Sequence, residues 1–288
     1  MRIVITGGSG FLGSHIADEL SKKGHKVIIF DKKKSKWIKS NQEMVIGNIL
    51  DKKKLESVIK RSDIIYHLAG LTNLDEAIKE PIKSVNLNIL GTVNVLDLSY
   101  KYKIRRFVHA STIYVNSSEG GFYRSSKKAA EDYVMEYSKF FGLKYTILRF
   151  GSLYGSRSDN SNGVKRILND AIYKNKLTYS GNKNSVRKYI NVFDAAKACA
   201  SILKIKYINK HIILTGKNKI KVTSFLKILS KMLKIKKKVE FKEKIHIGHY
   251  VVTPYTYVPT KGESFLFKSN INFYDGISKL IKEIKDSK

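Results

Sequence analysis

The chain has 288 residues, 42% hydrophobic and 11% aromatic, which sets aside a disordered polypeptide and fits one large α/β domain or two unequal ones. Lys and Arg outnumber Asp and Glu by 55 to 24, a net charge of +31, but the excess is spread along the chain and is nearly all Lys. With Arg scarce and no basic run interleaved with aromatics, the composition does not indicate nucleic-acid binding.

No apolar stretch reaches the roughly 20 residues of a membrane span. The strand pattern begins by Arg2, so a secretory signal is not expected. A lone cysteine, Cys199, can close no internal disulfide and build no thiolate metal site. The expectation is a cytosolic protein with no membrane anchor and no metal.

From the N-terminus, Arg2–Thr6 reads as a short buried strand, followed at once by a glycine-rich turn, Gly7 to Gly13. Ile16, Ala17 and Leu20 then recur at helical spacing as far as Lys23, and Gly24 ends that helix. His25–Asp31, Met44–Ile46 and Ile64–Leu68 repeat the strand signal, with a helix over Lys52–Lys60. Two long helices are predicted over Ile82–Tyr102 and Ser126–Phe141, flanking a strand at Arg106–Ala110, and another strand follows at Tyr145–Arg149. Strands alternating with helices mean a Rossmann-type, doubly wound parallel sheet with right-handed crossovers. After Gly151 the pattern loosens, with polar loops at 156–163 and 180–187 and helices at 164–174, 194–204, 222–233 and 275–285. That change divides the chain into a nucleotide-binding domain over 1–155, joined by parts of 182–215, and a smaller C-terminal lobe over 156–288. His15, His67 and His109 fall on separate elements and read as core or helix-start residues. Lys236–Lys238 reads as a solvated run, and Tyr250–Tyr257 as a packed loop or a ligand cover.

Two constellations carry chemistry. Gly7, Gly10 and Gly13 stand between a strand and a helix, where they permit a tight turn, a close backbone approach to a pyrophosphate, and close helix–strand packing. The helix N-terminus adds free N–H groups and positive dipole. Asp31, at the end of the second strand, suits the adenosine ribose diol of NAD. Further on, Tyr123 and Lys127 lie one helix turn apart, so the ammonium is expected to lower the phenol's pKa and make it a base for a hydroxyl proton.

With these motifs in order, the chain resembles the extended short-chain dehydrogenase/reductases, the NAD-dependent epimerase/dehydratase group acting on nucleotide sugars. Thr6–His15 is similar to that family's glycine loop, and Gly47–Asp51 to its adenine-side segment, with Asn48 in place of the usual Asp. His67–Gly70 resembles the stretch lining the cofactor, and Asn88–Thr92 the helix whose Asn supports the site. Thr112, Tyr123 and Lys127 match the catalytic triad. Leu148–Gly155 and Arg187–Asp194 resemble two later elements, the second supplying an Arg that meets the nucleotide diphosphate. The resemblance implies NAD contacts at Gly7, Gly10, Phe11, Leu12, Gly13, Asp31, Asn48, Ile49, Leu68, Ala69, Gly70, Asn88, Ala110, Ser111, Tyr123, Lys127 and Phe150. It implies substrate contacts at Thr112, Ser152, Val164, Tyr179 and Arg187, and a homodimer through the two long helices.

Dehydratases of this group carry Thr-Asp-Glu where this chain has Thr112-Ile113-Tyr114, so dehydration, which needs the acidic pair, is not expected. Epimerisation at C4 of a nucleoside-diphosphate hexose through a 4-keto intermediate needs no further acid–base group and ranks first. A nucleotide-sugar 4-reductase or 4-dehydrogenase ranks second, and a non-catalytic NAD-binding module third. The loop from Thr112 to Tyr123 is shorter than usual, and Phe150 and Ser152 replace a usual Pro and Asn. The nucleotide and the sugar are not specified.

Overall fold

A computed structural model describes residues 1–235, 240–242, 263–267 and 270–286. The Lys236–Lys238 run and the Tyr250–Tyr257 stretch lie outside these residues. The chain runs β1 (Arg2–Thr6), α1 (Phe11–Lys22), β2 (Lys26–Asp31), β3 (Gln42–Ile46), α2 (Lys52–Ile59), β4 (Ile64–His67), α3 (Leu74–Lys79) and α4 (Pro81–Ser84). A π-helical segment, Val85–Leu90, leads into α5 (Gly91–Lys101), then β5 (Arg106–Thr112), a 3-10 turn at Ile113–Asn116, α6 (Gly121–Phe141), β6 (Tyr145–Phe150) and β7 (Ser152–Tyr154). The remainder is α7 (Gly163–Lys174), β8 (Thr178–Ser180), β9 (Val186–Arg187), β10 (Tyr189–Asn191), α8 (Val192–Ser201) and β11 (Lys210–Leu214). Last come β12 (Ile220–Lys221), α9 (Val222–Met232), β13 (Glu240–Lys242), β14 (Glu263–Ser264) and α10 (Phe273–Asp286).

Among the described residues the main sheet has eight strands, all parallel, in the order β14-β11-β6-β5-β4-β1-β2-β3. Strands covered on both faces read as near-continuous apolar runs, as Ile3–Ile5 of β1, Val27–Phe30 of β2 and Ile64–Tyr66 of β4 do. On one face Ile16 and Leu20 of α1 and Ala195 and Cys199 of α8 pack with Ile3, Ile5 and Ile29, and the Tyr66 hydroxyl donates to the Cys199 carbonyl at 2.7 Å. On the other, Leu55, Leu96 and Val134 of α2, α5 and α6 cover Val4, Ile28, Ile65 and Phe107. A separate core, with Leu168, Phe225, Leu229 and Leu280, joins α7, α9 and α10. The strand order reverses between β1 and β4, and such a switch point opens a crevice at the carboxyl ends of the strands.

The structure departs from the sequence reading in several places. The helix expected over 82–102 contains the π-helical Val85–Leu90, a widened turn that leaves no trace in apolar spacing. The helix α6 begins at Gly121, ahead of Ser126, so Tyr123 and Lys127 sit in its first two turns. Helix α3, strand β11 and the short strands β8, β9, β10, β12, β13 and β14 have no counterpart in the sequence reading; α3 packs against α6 and β11 against β6. Among the described residues no helix is long and apolar enough to cross a membrane.

Candidate active site

One cleft of ≈ 1540 Å³ runs along the carboxyl ends of the strands, and every residue named above as a cofactor or substrate contact lines it. Its first end is the glycine loop. Gly7 has φ 75°, and a Cβ there would stand 2.7 Å from the Ala69 nitrogen; a Cβ on Gly13 would stand 2.3 Å from the Gly7 carbonyl. Only glycine lets β1, the loop and α1 close this far. Gly10 caps α1 with no side-chain bond, and Phe11, Leu12 and Gly13 of its first turn line the cleft, where free helix N-terminal N–H groups suit an anion. Asp31 accepts from the Ser9 N–H at 3.0 Å through Oδ2 and from the Lys33 N–H at 3.1 Å through Oδ1. Each oxygen keeps a lone pair for a diol. The donor set and the glycine cradle therefore fit a dinucleotide.

At the middle of the cleft β5 delivers Thr112, and the first turns of α6 deliver Tyr123 and Lys127. All three are buried, Thr112 at 5%, Tyr123 at 9% and Lys127 at 7% exposure. Thr112 and Tyr123 share a side-chain hydrogen bond, and Thr112 Oγ1 also accepts from the Tyr114 N–H at 3.3 Å. Burial pushes the Tyr123 phenol up to about 12, against the Thr112 bond that lowers it. This corrects the expectation that Lys127 lowers it: in the protein alone the shift is upward, set by burial, and the bond that opposes it comes from Thr112. Burial brings Lys127 itself down to about 8, opposed by the charge of Glu131. His67 is buried and held neutral, its pKa lowered to about 3, while it hydrogen-bonds Thr6 at 2.7 Å and Thr92 at 3.0 Å.

The positions of these groups depend on residues the sequence reading did not use. Glu131, one turn beyond Lys127, takes Arg149 at 2.6 and 3.0 Å and Ser111 at 2.5 Å, tying α6 to β5 and β6. Its spacing of four from Lys127 was the available signal. Asn88 accepts from the Leu71 N–H at 2.7 Å and donates to the Leu71 carbonyl and to Ser126 Oγ, each at 2.9 Å. Ser126 in turn donates to the Tyr123 carbonyl at 3.0 Å. Asn88 and Ser111, expected to touch the cofactor, thus commit their side chains to the protein scaffold. At the far end Ser152, Val164, Tyr179 and Arg187 line the cleft together with Arg166 and Lys183, cations of the kind that bind phosphates. Asn162 caps α7 there by accepting from the Val164 and Lys165 N–H groups. Among the described residues no three His, Cys, Asp or Glu side chains converge as a metal-binding group.

Residues 3–213 match the NAD dependent epimerase/dehydratase family, and the chain belongs to it. A protein of Methanocaldococcus jannaschii, provisionally named a UDP-glucose 4-epimerase, is 32% identical over 217 residues, covering 68% of this chain and 71% of that one. A dTDP-D-glucose 4,6-dehydratase of Dictyostelium discoideum is 31% identical, covering 70% of this chain and 55% of its own length. The crystal structure of a UDP-glucose 4-epimerase from Thermotoga maritima with UDP-glucose superposes at a TM-score of 0.88 with 22% identity, covering 100% of this chain and 99% of that one. That likeness establishes the fold.

Proposed function

We propose that the chain is an NAD-dependent nucleotide-sugar epimerase that inverts C4 of a nucleoside-diphosphate hexose through a 4-keto intermediate. The carrying observation is the buried, hydrogen-bonded Thr112–Tyr123 pair with Lys127 one turn on, in the wall of the cleft that begins at the glycine loop. The Gly7–Gly13 loop and Asp31 would hold NAD, which would supply a reversible hydride acceptor for C4. Thr112 holds the C4 oxygen, and Tyr123 takes its proton. Lys127 favours the phenolate and binds the nicotinamide ribose. The keto sugar would turn while Arg187 holds its diphosphate, so that hydride would return to the opposite face of C4 while Tyr123 gives the proton back to the C4 oxygen. The relatives named for UDP-glucose 4-epimerase activity support this reading, and Ile113 and Tyr114 after Thr112 supply no carboxylate pair for dehydration.

The proposal includes a cofactor domain over 1–155 with parts of 182–215, and a substrate lobe over the rest of 156–288, consistent with the separate core of α7, α9 and α10. It also includes a cytosolic homodimer paired through α5 and α6, whose exposed Tyr100, Tyr133, Phe140 and Phe141 support such a contact. UDP-glucose deuterated at C4 tests the reaction. The purified enzyme, with NAD and no added oxidant, should give the C4-inverted product with its label retained. Net accumulation of NADH, or product that forms only with NADPH, would replace epimerisation by dehydrogenation or reduction.

A further inference from the structure

The loop after β7 carries a side chain that reaches α1 and the segment between β2 and β3. Arg157 has φ 63°, a left-handed backbone that a non-glycine residue holds only against local strain. Its guanidinium lies over the Trp37 ring, 4.9 Å from the centroid, and Nη2 donates to Asp18 Oδ2 at 2.8 Å. Its backbone N–H donates to Glu283 Oε1 at 3.1 Å, and the neighbouring Ser156 hydroxyl donates to the other Glu283 oxygen. Lys39, at 3.3 Å, and Gln42, donating at 3.2 Å, meet the second oxygen of Asp18. The Asp18 and Arg157 side chains are only 10% and 18% exposed, so the pair is a defined contact rather than a solvated surface bridge.

Each side of this clasp leads to a wall of the cleft. Trp37 lies on the segment between β2 and β3, which starts at Asp31 and is tied back to the glycine loop where Ser9 Oγ donates to the Lys33 carbonyl at 2.8 Å. In the other direction, Asp159, Ser161 and Asn162 follow Arg157 and line the far end of the cleft. Asn162 then caps α7.

We propose that Arg157 is a positioning residue that couples the cofactor end of the cleft to the nucleotide-sugar end. A nucleoside diphosphate settling against the 159–164 segment fixes Arg157, Arg157 fixes the segment carrying Trp37 and Asp31, and each ligand thereby tightens the other. This rests on the reading of the cleft given above. Equilibrium coupling of this kind is reciprocal, so it can be read from either ligand.

Trp37 is the chain's single tryptophan, is 41% exposed, and is not among the described residues lining the cleft, so its emission reports on the clasp from outside the site. UDP added alone should change that emission, and saturating UDP should tighten NAD, measured by calorimetry, by about fivefold or more. In Arg157→Ala the emission should no longer respond to UDP. In Arg157→Ala and Trp37→Ala each ligand should still bind, with NAD affinity indifferent to UDP; Trp37→Ala removes only a half-exposed ring and guards against a folding defect in the first variant. Arg157→Lys, which keeps the charge toward Asp18 but loses the planar stack, should retain part of the coupling. A wild-type chain that binds both ligands independently, or variants that keep the full coupling, would overturn the clasp alone. A wild-type chain that binds neither would overturn it together with the functional reading.

Discussion

Replacing Lys127 with methionine should stabilise the fold while abolishing turnover. The Lys127 ammonium is buried, and burial holds its pKa at about 8 against an ordinary 10.5. At pH 7 the folded and unfolded chains both carry the proton, so the folded state bears the whole cost of the buried charge. The gap between 10.5 and about 8, at about 1.36 kcal/mol per pKa unit, makes that cost on the order of 3 kcal/mol. Between those two values the unfolded chain binds a proton that the folded chain has lost, so wild-type stability rises with pH through this window. By about pH 9.5 the remaining cost is roughly 1.4 kcal/mol. Methionine is unbranched and of similar length, so it fills the same volume without the charge. Urea unfolding should therefore find the variant about 3 kcal/mol more stable at pH 7 and about half that or less near pH 9.5. A variant no more stable than wild type at pH 7, or a gap that does not shrink as pH rises, would refute the reasoning.

The remaining predictions concern the two ends of the chemistry. Tyr123→Phe should lower kcat by about 10²- to 10⁴-fold, with NAD and UDP-glucose binding by calorimetry unchanged; a fully active variant would remove Tyr123 from the reaction. Asp31→Ala should weaken NAD by about 1–3 kcal/mol, the range of a charge-assisted bond. In the wild type NADP, whose phosphate meets the Asp31 carboxylate, should bind more weakly than NAD, and equal or tighter NADP binding in a titration would count against the assignment.

The sheet and the glycine loop were legible because their causes are local. A strand covered on both faces reads as a near-continuous apolar run, as Ile3–Ile5 and Val27–Phe30 do, and a turn that packs a helix against a strand has to lack Cβ atoms. Tyr123 and Lys127 could be paired because a helix turn fixes their spacing. Illegible features depended on what surrounds a residue. The spacing placed an ammonium near a phenol but said nothing of desolvation, which reverses the direction of the Tyr123 shift. The six residues of α3 carry too short a pattern to stand out, and the widened turn at Val85–Leu90 changes hydrogen-bond partners without changing residue type. Trp37 and Arg157 meet only because two distant loops converge on Asp18.

The buried ion pair beneath the site explains how Lys127 keeps a proton near neutral pH while remaining free for a ligand. Glu131 is the charge that raises the Lys127 pKa against burial, yet its oxygens are taken by Arg149 and Ser111. It therefore acts on Lys127 through space and, among the described residues, leaves the ammonium's donors unspent. A carboxylate at this depth is tolerated only when paired, and removing one partner of such a pair typically costs about 3–5 kcal/mol. Arg149 thus serves two ends: it pairs with the buried Glu131 carboxylate and joins β6 to α6, the helix that carries Tyr123. Were Glu131 to pair with Lys127 directly, the ammonium would be more stable but occupied. With Arg149 as its partner instead, the site holds an ammonium that is costly to the fold, partly compensated, and available to a ribose and a phenolate.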